Sequence, residues 1–196
     1  MPFKRSTFSS VHPFCRALRL NEPEVFMLND MNESGVLAPY REYNQPLFQY
    51  GVRHLLVNDT EVPYPDGKLI VSRTDTLGII THCNQSFVAM SGYTQAELIG
   101  APHSILRHPD MPSIAFKGLW DDVQAGNIWH GYVKNLRKDG AFYWVYATVI
   151  PNVRNGGVVG YTSVRRKPSR AKIQAAITLY QTLKTQENAH WEGPQS

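Results

Sequence analysis

Residues 128–166, IWHGYVKNLRKDGAFYWVYATVIPNVRNGGVVGYTSVRR, constrain the fold more than any other part of the chain. Aromatic and β-branched residues alternate there with polar ones at a period of two. Turn signals interrupt the pattern at Lys138-Asp139-Gly140 and Asn155-Gly156-Gly157. Three strands joined by tight turns are predicted, and such strands pair antiparallel. The alternation sets Trp129, Gly131, Val133 and Asn135 on one face, with His130, Tyr132, Lys134 and Leu136 on the other.

The elements before this run are shorter. KLIVSRTD and IITHC read as two strands around a turn closed by Gly78. Asn84 is placed to cap a helix ending at Gly92. Thr94 and Glu97 have capping-box spacing for a second helix, with Gly100 as its stop. Pro112 opens the clearest helix, which carries Ala115, Phe116, Leu119, Trp120 and Val123 as one apolar stripe and stops at Gly126. Beyond Pro168 the helical period returns, with Ser169 as cap and Ile173, Ala176, Ile177, Tyr180 and Leu183 as a stripe. Elements in runs rather than strict alternation predict an α+β fold, an antiparallel sheet with short helices on one face and a trailing amphipathic helix. The expected division is 1–56 as an N-terminal extension, 57–168 as the domain, and 169–196 as a C-terminal helix and tail. Residues 1–55 show no sustained period; only 22–31 has the pattern of a short helix.

Composition narrows the function classes. The net charge is +4, and part of the excess sits at Arg165-Arg166-Lys167, Arg170 and Lys172, which reads as a solvated helix entrance rather than a nucleic-acid footprint. Two cysteines, Cys15 and Cys83, form neither a disulfide framework nor a zinc motif and fit a reducing compartment. There is no secretory signal and no run of membrane-spanning length, so a cytoplasmic protein without direct membrane insertion is expected. No phosphate loop, metal spacing or nucleophile elbow is present, and no enzymatic activity is expected.

The densest chemistry lies in APHSILRHPDMPSIAF, residues 101–116. His103 and His108 are spaced for neither one helix face nor one strand face, which weakens a metal site. Ser104 beside His103 has no orienting partner, which weakens catalysis. Two readings remain: a structural one, an Arg107–Asp110 ion pair with a histidine on loop carbonyls, and a cofactor-binding one.

Several of these motifs together resemble the PAS sensor family, in the form found in bacterial aerotaxis receptors. They are SRTD (72–75), ITHCNQSFVAMSGYTQAELIG (80–100), PHSILRHPDMPSIAFKGLW (102–120), the pattern from Trp129 through VKN and RK to Tyr143-Trp144, and GYTSVRRKPS (160–169). The general signal is SGYT followed by EL and Gly. RHPDMP with VKNLRKDG is the more specific part, and the resemblance covers over half the chain.

The resemblance implies an FAD held noncovalently between sheet and helices, with its redox state as the signal. Asn84 then serves flavin binding as well as capping, and Trp129 packs against the isoalloxazine. Asn135 meets the pyrimidine edge, where the flavin presents both donors and acceptors. His103, Arg107 or His108 stands near the edge that gains negative charge on reduction, Arg107 being equally suited to the phosphates. Phe116 lines the cavity, and Trp144 belongs to the ordinary core. A full receptor of this type continues into a membrane anchor and a methyl-accepting domain, neither of which is seen here; signalling to a partner protein in trans is expected instead. The stripe on 169–184 needs a partner, and a second copy is the simplest, giving a homodimer. The alternative is a PAS adaptor for dimerisation or docking, with a cofactor-free or haem-filled cavity. A cysteinyl-flavin photoreceptor is disfavoured because Cys83 precedes Asn84 instead of lying on a helix beside the ring.

Overall fold

The computed structural model describes residues 28–47 and 50–191, with side chains to 188. Cys15 and residues 22–27 of the expected short helix lie outside them. Residues 28–31, the rest of that helix, are not helical.

Strands β1 (Arg41–Leu47) and β2 (Gly51–Val57) pair as an antiparallel ribbon. Strands β3 (Ile70–Thr74), β4 (Ile80–Cys83), β5 (Trp129–Leu136), β6 (Phe142–Arg154) and β7 (Gly157–Arg166) form a five-stranded antiparallel sheet in the order β4-β3-β7-β6-β5. Helices α1 (Gln85–Ser91) and α2 (Gln95–Leu98), a 3-10 turn over His103–Leu106, and helix α3 (Ser113–Gln124) run between β4 and β5. Helix α4 (Arg170–Trp191) follows β7.

The punctuation seen in the sequence sets these boundaries. Asn84 caps α1 through its Oδ1, which accepts from the Phe87 amide, and Gly92 closes the helix with φ +75°. The Thr94–Glu97 box is complete in both directions. Asn155 and Gly156 turn β6 into β7 with φ of 52° and 79°, the left-handed pair that a two-residue hairpin turn requires.

The inner face of the sheet meets the short helices. Ile70, Ile80, Phe87, Met90, Leu98, Leu106, Tyr143 and Val145 make the main core there. A second cluster joins Val123 of α3 to Val149 and Tyr161, with Trp120 edge-on to the Tyr161 ring at 5.6 Å. Helix α4 lies on the opposite, outer face. Ile173 and Ala176 are buried there against Trp144, with Tyr132, Phe142, Ile177 and Tyr180 around them. Ile173, Ala176, Ile177 and Tyr180 of the α4 stripe, expected to meet a second copy, thus pack on this chain's own sheet. Trp144 is core, as expected, but core of the outer layer.

Residues 28–57 are more ordered than their lack of period implied. Leu55, Leu56 and Val57 bury against Met31, Val36 and Leu136. Arg53 is 4% exposed and pins the ribbon down, donating to the Asn29 carbonyl, the Ile105 carbonyl and the Tyr93 hydroxyl. Among the described residues no helix is long and apolar enough to cross a membrane.

Candidate functional site

The inner face carries a row of buried polar side chains. Alternation along β7 turns Ser163 and Arg165 inward, and both are buried. Asn135 on β5 stands opposite Tyr143 on β6 in the strand register, and these two are buried as well. Ser72 of β3 completes the row, opposite Ser163. An apolar core gains nothing from such groups unless each finds a partner.

Only part of the row is satisfied. Arg165 donates one Nη2 proton to His103 Nε2 at 2.6 Å and approaches Ser72 Oγ at 3.1 Å. Its guanidinium lies over the Phe87 ring at 5.2 Å. A ring nitrogen facing a guanidinium must accept, so the proton of the neutral His103 ring sits on Nδ1. Burial first, and the Arg165 charge second, hold His103 down to about 3, so the ring is neutral throughout the physiological range. Burial lowers Arg165 too, to about 10, and leaves it charged. Tyr143 is driven up to about 12 by burial, against the pull of Arg165 and Arg137.

Asn135 Nδ2, Tyr143 Oη, Ser163 Oγ and Arg165 Nη1 are buried without a hydrogen-bond partner among the described residues. Each can donate. Such groups cost about 1–3 kcal/mol apiece when left unmet. Their clustering on one sheet face gives a surface suited to a flat ligand edge rich in acceptors, with Arg165 adding positive charge. This donor set fits the pyrimidine edge of a flavin.

The other predicted residues separate. Trp129 lies on the inner face further along β5, packed toward both inner clusters. Its indole is laid across Gly131, where an added Cβ would come 2.2 Å from Cη2, so a side chain at 131 and the indole exclude one another. Arg107 donates from Nη2 to Ser113 Oγ at 2.8 Å and stacks over Phe116 at 4.9 Å. Its backbone bridges to Asn135, while its Nε is buried and unpaired among the described residues. Phe116 is half-buried on α3. Asn84 spends its amide on the fold: Oδ1 accepts from the Phe87 and Val71 amides, and Nδ2 donates to the Leu69 carbonyl.

His108 stands apart from the row. Its ring is 2% exposed and edge-on to Phe142, in the layer shared with α4, and its Nδ1 accepts from the Asp110 amide at 3.1 Å. Burial is the main cause that lowers it to about 3. The expected Arg107–Asp110 pair is not formed; Asp110 binds Lys134 Nζ at 2.6 Å instead. The motif therefore splits, with His103 facing the row and His108 and Asp110 facing the other layer. The sequence reading missed Arg165, Tyr143, Ser163 and Ser72. Arg165 had been grouped with a surface basic patch, although alternation with Tyr161 and Ser163 would have turned it inward.

No group of three or more metal-ligating side chains converges among the described residues. Cys83 is buried in the main core, where burial raises its thiol.

Residues 80–165 match the family model described as the PAS fold. The chain is 44% identical over 130 residues to the aerotaxis receptor of Escherichia coli K12, covering 66% of this chain and 26% of that receptor. It is 31% identical over 93 residues to phototropin-2 of rice, covering 46% of this chain and 10% of the relative. The chain thus spans about a quarter of the first relative's length and a tenth of the second's. Among solved structures, the light-state LOV domain of the blue-light photoreceptor Aureochrome1 is 20% identical with a TM-score of 0.49, covering 61% of this chain and 91% of that one.

Proposed function

Because this chain carries a PAS sensor domain of the aerotaxis-receptor type, we propose that it is a flavin-binding redox sensor module that holds FAD on the inner polar row and signals through a partner protein. The observation that carries this reading is the set of unmet buried donors at Asn135, Tyr143, Ser163 and Arg165. A PAS core used only for docking has no need of four such groups on one face.

A bound flavin supplies reversible electron uptake and gains negative charge on its pyrimidine edge when reduced. Arg165 is the permanent cation of the row. His103 accepts one of its protons and Ser72 lies beside the same nitrogen, so the guanidinium is held in place while Nη1 remains available. Because His103 is neutral, it adds no second charge and the field at the row comes from Arg165. Asn135 and Tyr143 supply neutral donors whose geometry adjusts by rotation about a side-chain bond. Trp129, flat on Gly131, offers an apolar wall. Arg107, with an unpaired Nε near Phe116, is placed for a phosphate rather than for the row. Asn84 acts indirectly, by fixing α1 and with it Phe87 under Arg165. His108 acts only through the loop it belongs to. The sensing unit is 57–168, with 169–196 as its route out in a cytoplasmic homodimer.

A cofactor-free adaptor draws support from a different observation: Phe87 and Tyr143 are fully buried in the interior and Arg165 fills space over Phe87. Haem bound through His103 is disfavoured, since its Nε2 is taken by Arg165. An absorbance spectrum of the purified protein separates these. Flavin bands, with FAD identified after extraction, are expected. Colourless protein that takes up no FAD on incubation refutes the sensor reading, and a Soret band refutes it in favour of haem.

A further inference from the structure

Outside the inner row, a cavity of about 380 Å³ opens between the N-terminal ribbon and α2. Residues 28–35 form one wall. Two hydrogen bonds hold that wall to β2: the Met31 amide donates to the His54 carbonyl at 3.1 Å, and the His54 amide donates to Asp30 Oδ1 at 2.7 Å. Ala96 and Ile99, with Tyr93, Ile105 and Lys138, form the facing wall. A volume of this size falls in the range of small-molecule sites, and close packing alone leaves no such space in a protein interior.

Arg53 belongs to the lining and is only 4% exposed. Its hydrogen bonds go to the Asn29 carbonyl, the Ile105 carbonyl and the Tyr93 hydroxyl, all of them neutral. Among the described residues no carboxylate forms an ion pair with it. The guanidinium is thus fixed in position with its charge unmet, and one N–H on each Nη is left over. A buried cation is costly until an acid reaches it, and neighbouring Nη protons match the two oxygens of one carboxylate. The other basic group is already matched: Lys138 Nζ binds Glu97 Oε1 at 2.5 Å. Exposed Asp30 and Glu97 repel further negative charge, which restricts the anion to a single one. The rest of the lining, from Leu28 and Met31 to Ile99, Ile105 and the Tyr93 ring, is largely apolar.

We propose that this cavity is a second ligand site, for a small monocarboxylate with an apolar body. Its carboxylate pairs with Arg53, and its body packs between Ile99, Ile105 and the Tyr93 ring. None of the inner-row residues lines the cavity, so the proposal is independent of the flavin reading. Glu22 and Glu24, which precede Leu28 in the sequence, are the rival acids for Arg53 within this chain.

The test follows the Arg53 Nε–H group of the full chain by ¹H–¹⁵N NMR while sodium phenylacetate or isovalerate is added. At least one of the two should shift the signal and saturate below about 1 mM. Phenylacetamide and isovaleramide, which have the same bodies without the charge, should bind at least about tenfold more weakly than their acids. Because Arg53 also anchors the ribbon, the variant of choice is Ala96→Phe, which fills the cavity from the exposed side of α2 and leaves Arg53 intact. It should abolish the titration and keep the parent's thermal stability within a few degrees. Failure of both acids to saturate by about 10 mM, amides that bind as well as the acids, or an unchanged titration in Ala96→Phe overturns the proposal. So does a Glu22→Gln, Glu24→Gln double variant that moves the Arg53 signal without ligand, since the acid at Arg53 is then the chain's own.

Discussion

Acidification should unfold this protein earlier than its carboxylates alone would. His103 and His108 are both held neutral by burial, each lowered to about 3. In the unfolded chain they return to an ordinary value of about 6.5. Between these limits the unfolded state binds more protons, so stability is fully present above pH 6.5 and is lost as pH falls toward 3. At pH 5.0 each histidine should cost about 2 kcal/mol relative to pH 7.5, or about 4 kcal/mol together. That is a large share of the roughly 5–15 kcal/mol available to a domain. The carboxylates Glu97, Asp110 and Asp139 are themselves lowered by their basic partners, so their losses begin at more acid pH and leave the window from 6.5 to 5 to the histidines. Urea denaturation at pH 7.5, 6.5, 5.5 and 5.0 measures this directly. His103→Gln should remove about half of the slope, because glutamine can still accept from Arg165 without titrating. Stability that is flat across the window, or a His103 ring that titrates near 6.5 by NMR, would refute the argument.

Three substitutions probe the row and its wall. Gly131→Val places a Cβ where the Trp129 indole lies; a loss of about 1–3 kcal/mol and a red shift of Trp129 emission should follow. Arg165→Met removes the donor to His103, and should cost about 1–3 kcal/mol while raising the His103 titration, which burial still keeps below the ordinary range. Two-dimensional NMR of the ring protons checks the second effect and thermal melting the first. Tyr143→Phe deletes a buried hydroxyl with no partner among the described residues, so flavin-free protein should gain about 1 kcal/mol while FAD affinity falls. A stability loss without flavin would mean the hydroxyl is already satisfied.

Where local rules act, the sequence is easily read. Asn84, Gly92, Thr94 with Glu97, and Asn155-Gly156 set element ends through contacts a few residues long. The alternation along β5 correctly separated Asn135 from Lys134. What escaped depended on long-range partners. Strand β1 is largely polar and contains Pro46, while Leu55-Leu56-Val57 in β2 is an unbroken apolar run; neither shows a clean period of two, and their pairing is recognised only when the ribbon closes on Leu136. The stripe on α4 was legible, but its target was not, since an outer sheet face and a second helix ask for the same side chains. The stretch from His103 to Asp110 was legible as a cluster, yet its proline-bounded turns send His103 to the inner row and His108 and Asp110 to the other layer, which no spacing argument resolves. Arg165 escaped because a charge beside two others reads as surface, whereas strand parity turns it inward onto Phe87.

The central claim is that the inner polar row is the flavin site, and the Asn135 side-chain amide reports on it most directly. Its Nδ2 has no acceptor among the described residues and lies beside Tyr143 in the register. When that NH₂ group is followed by ¹H–¹⁵N NMR while FAD is added to flavin-free protein, both proton signals should shift and saturate at one FAD per chain. Arg165→Met should weaken the saturation. Flavin uptake that leaves the Asn135 amide unmoved would place the ligand elsewhere and contradict the account.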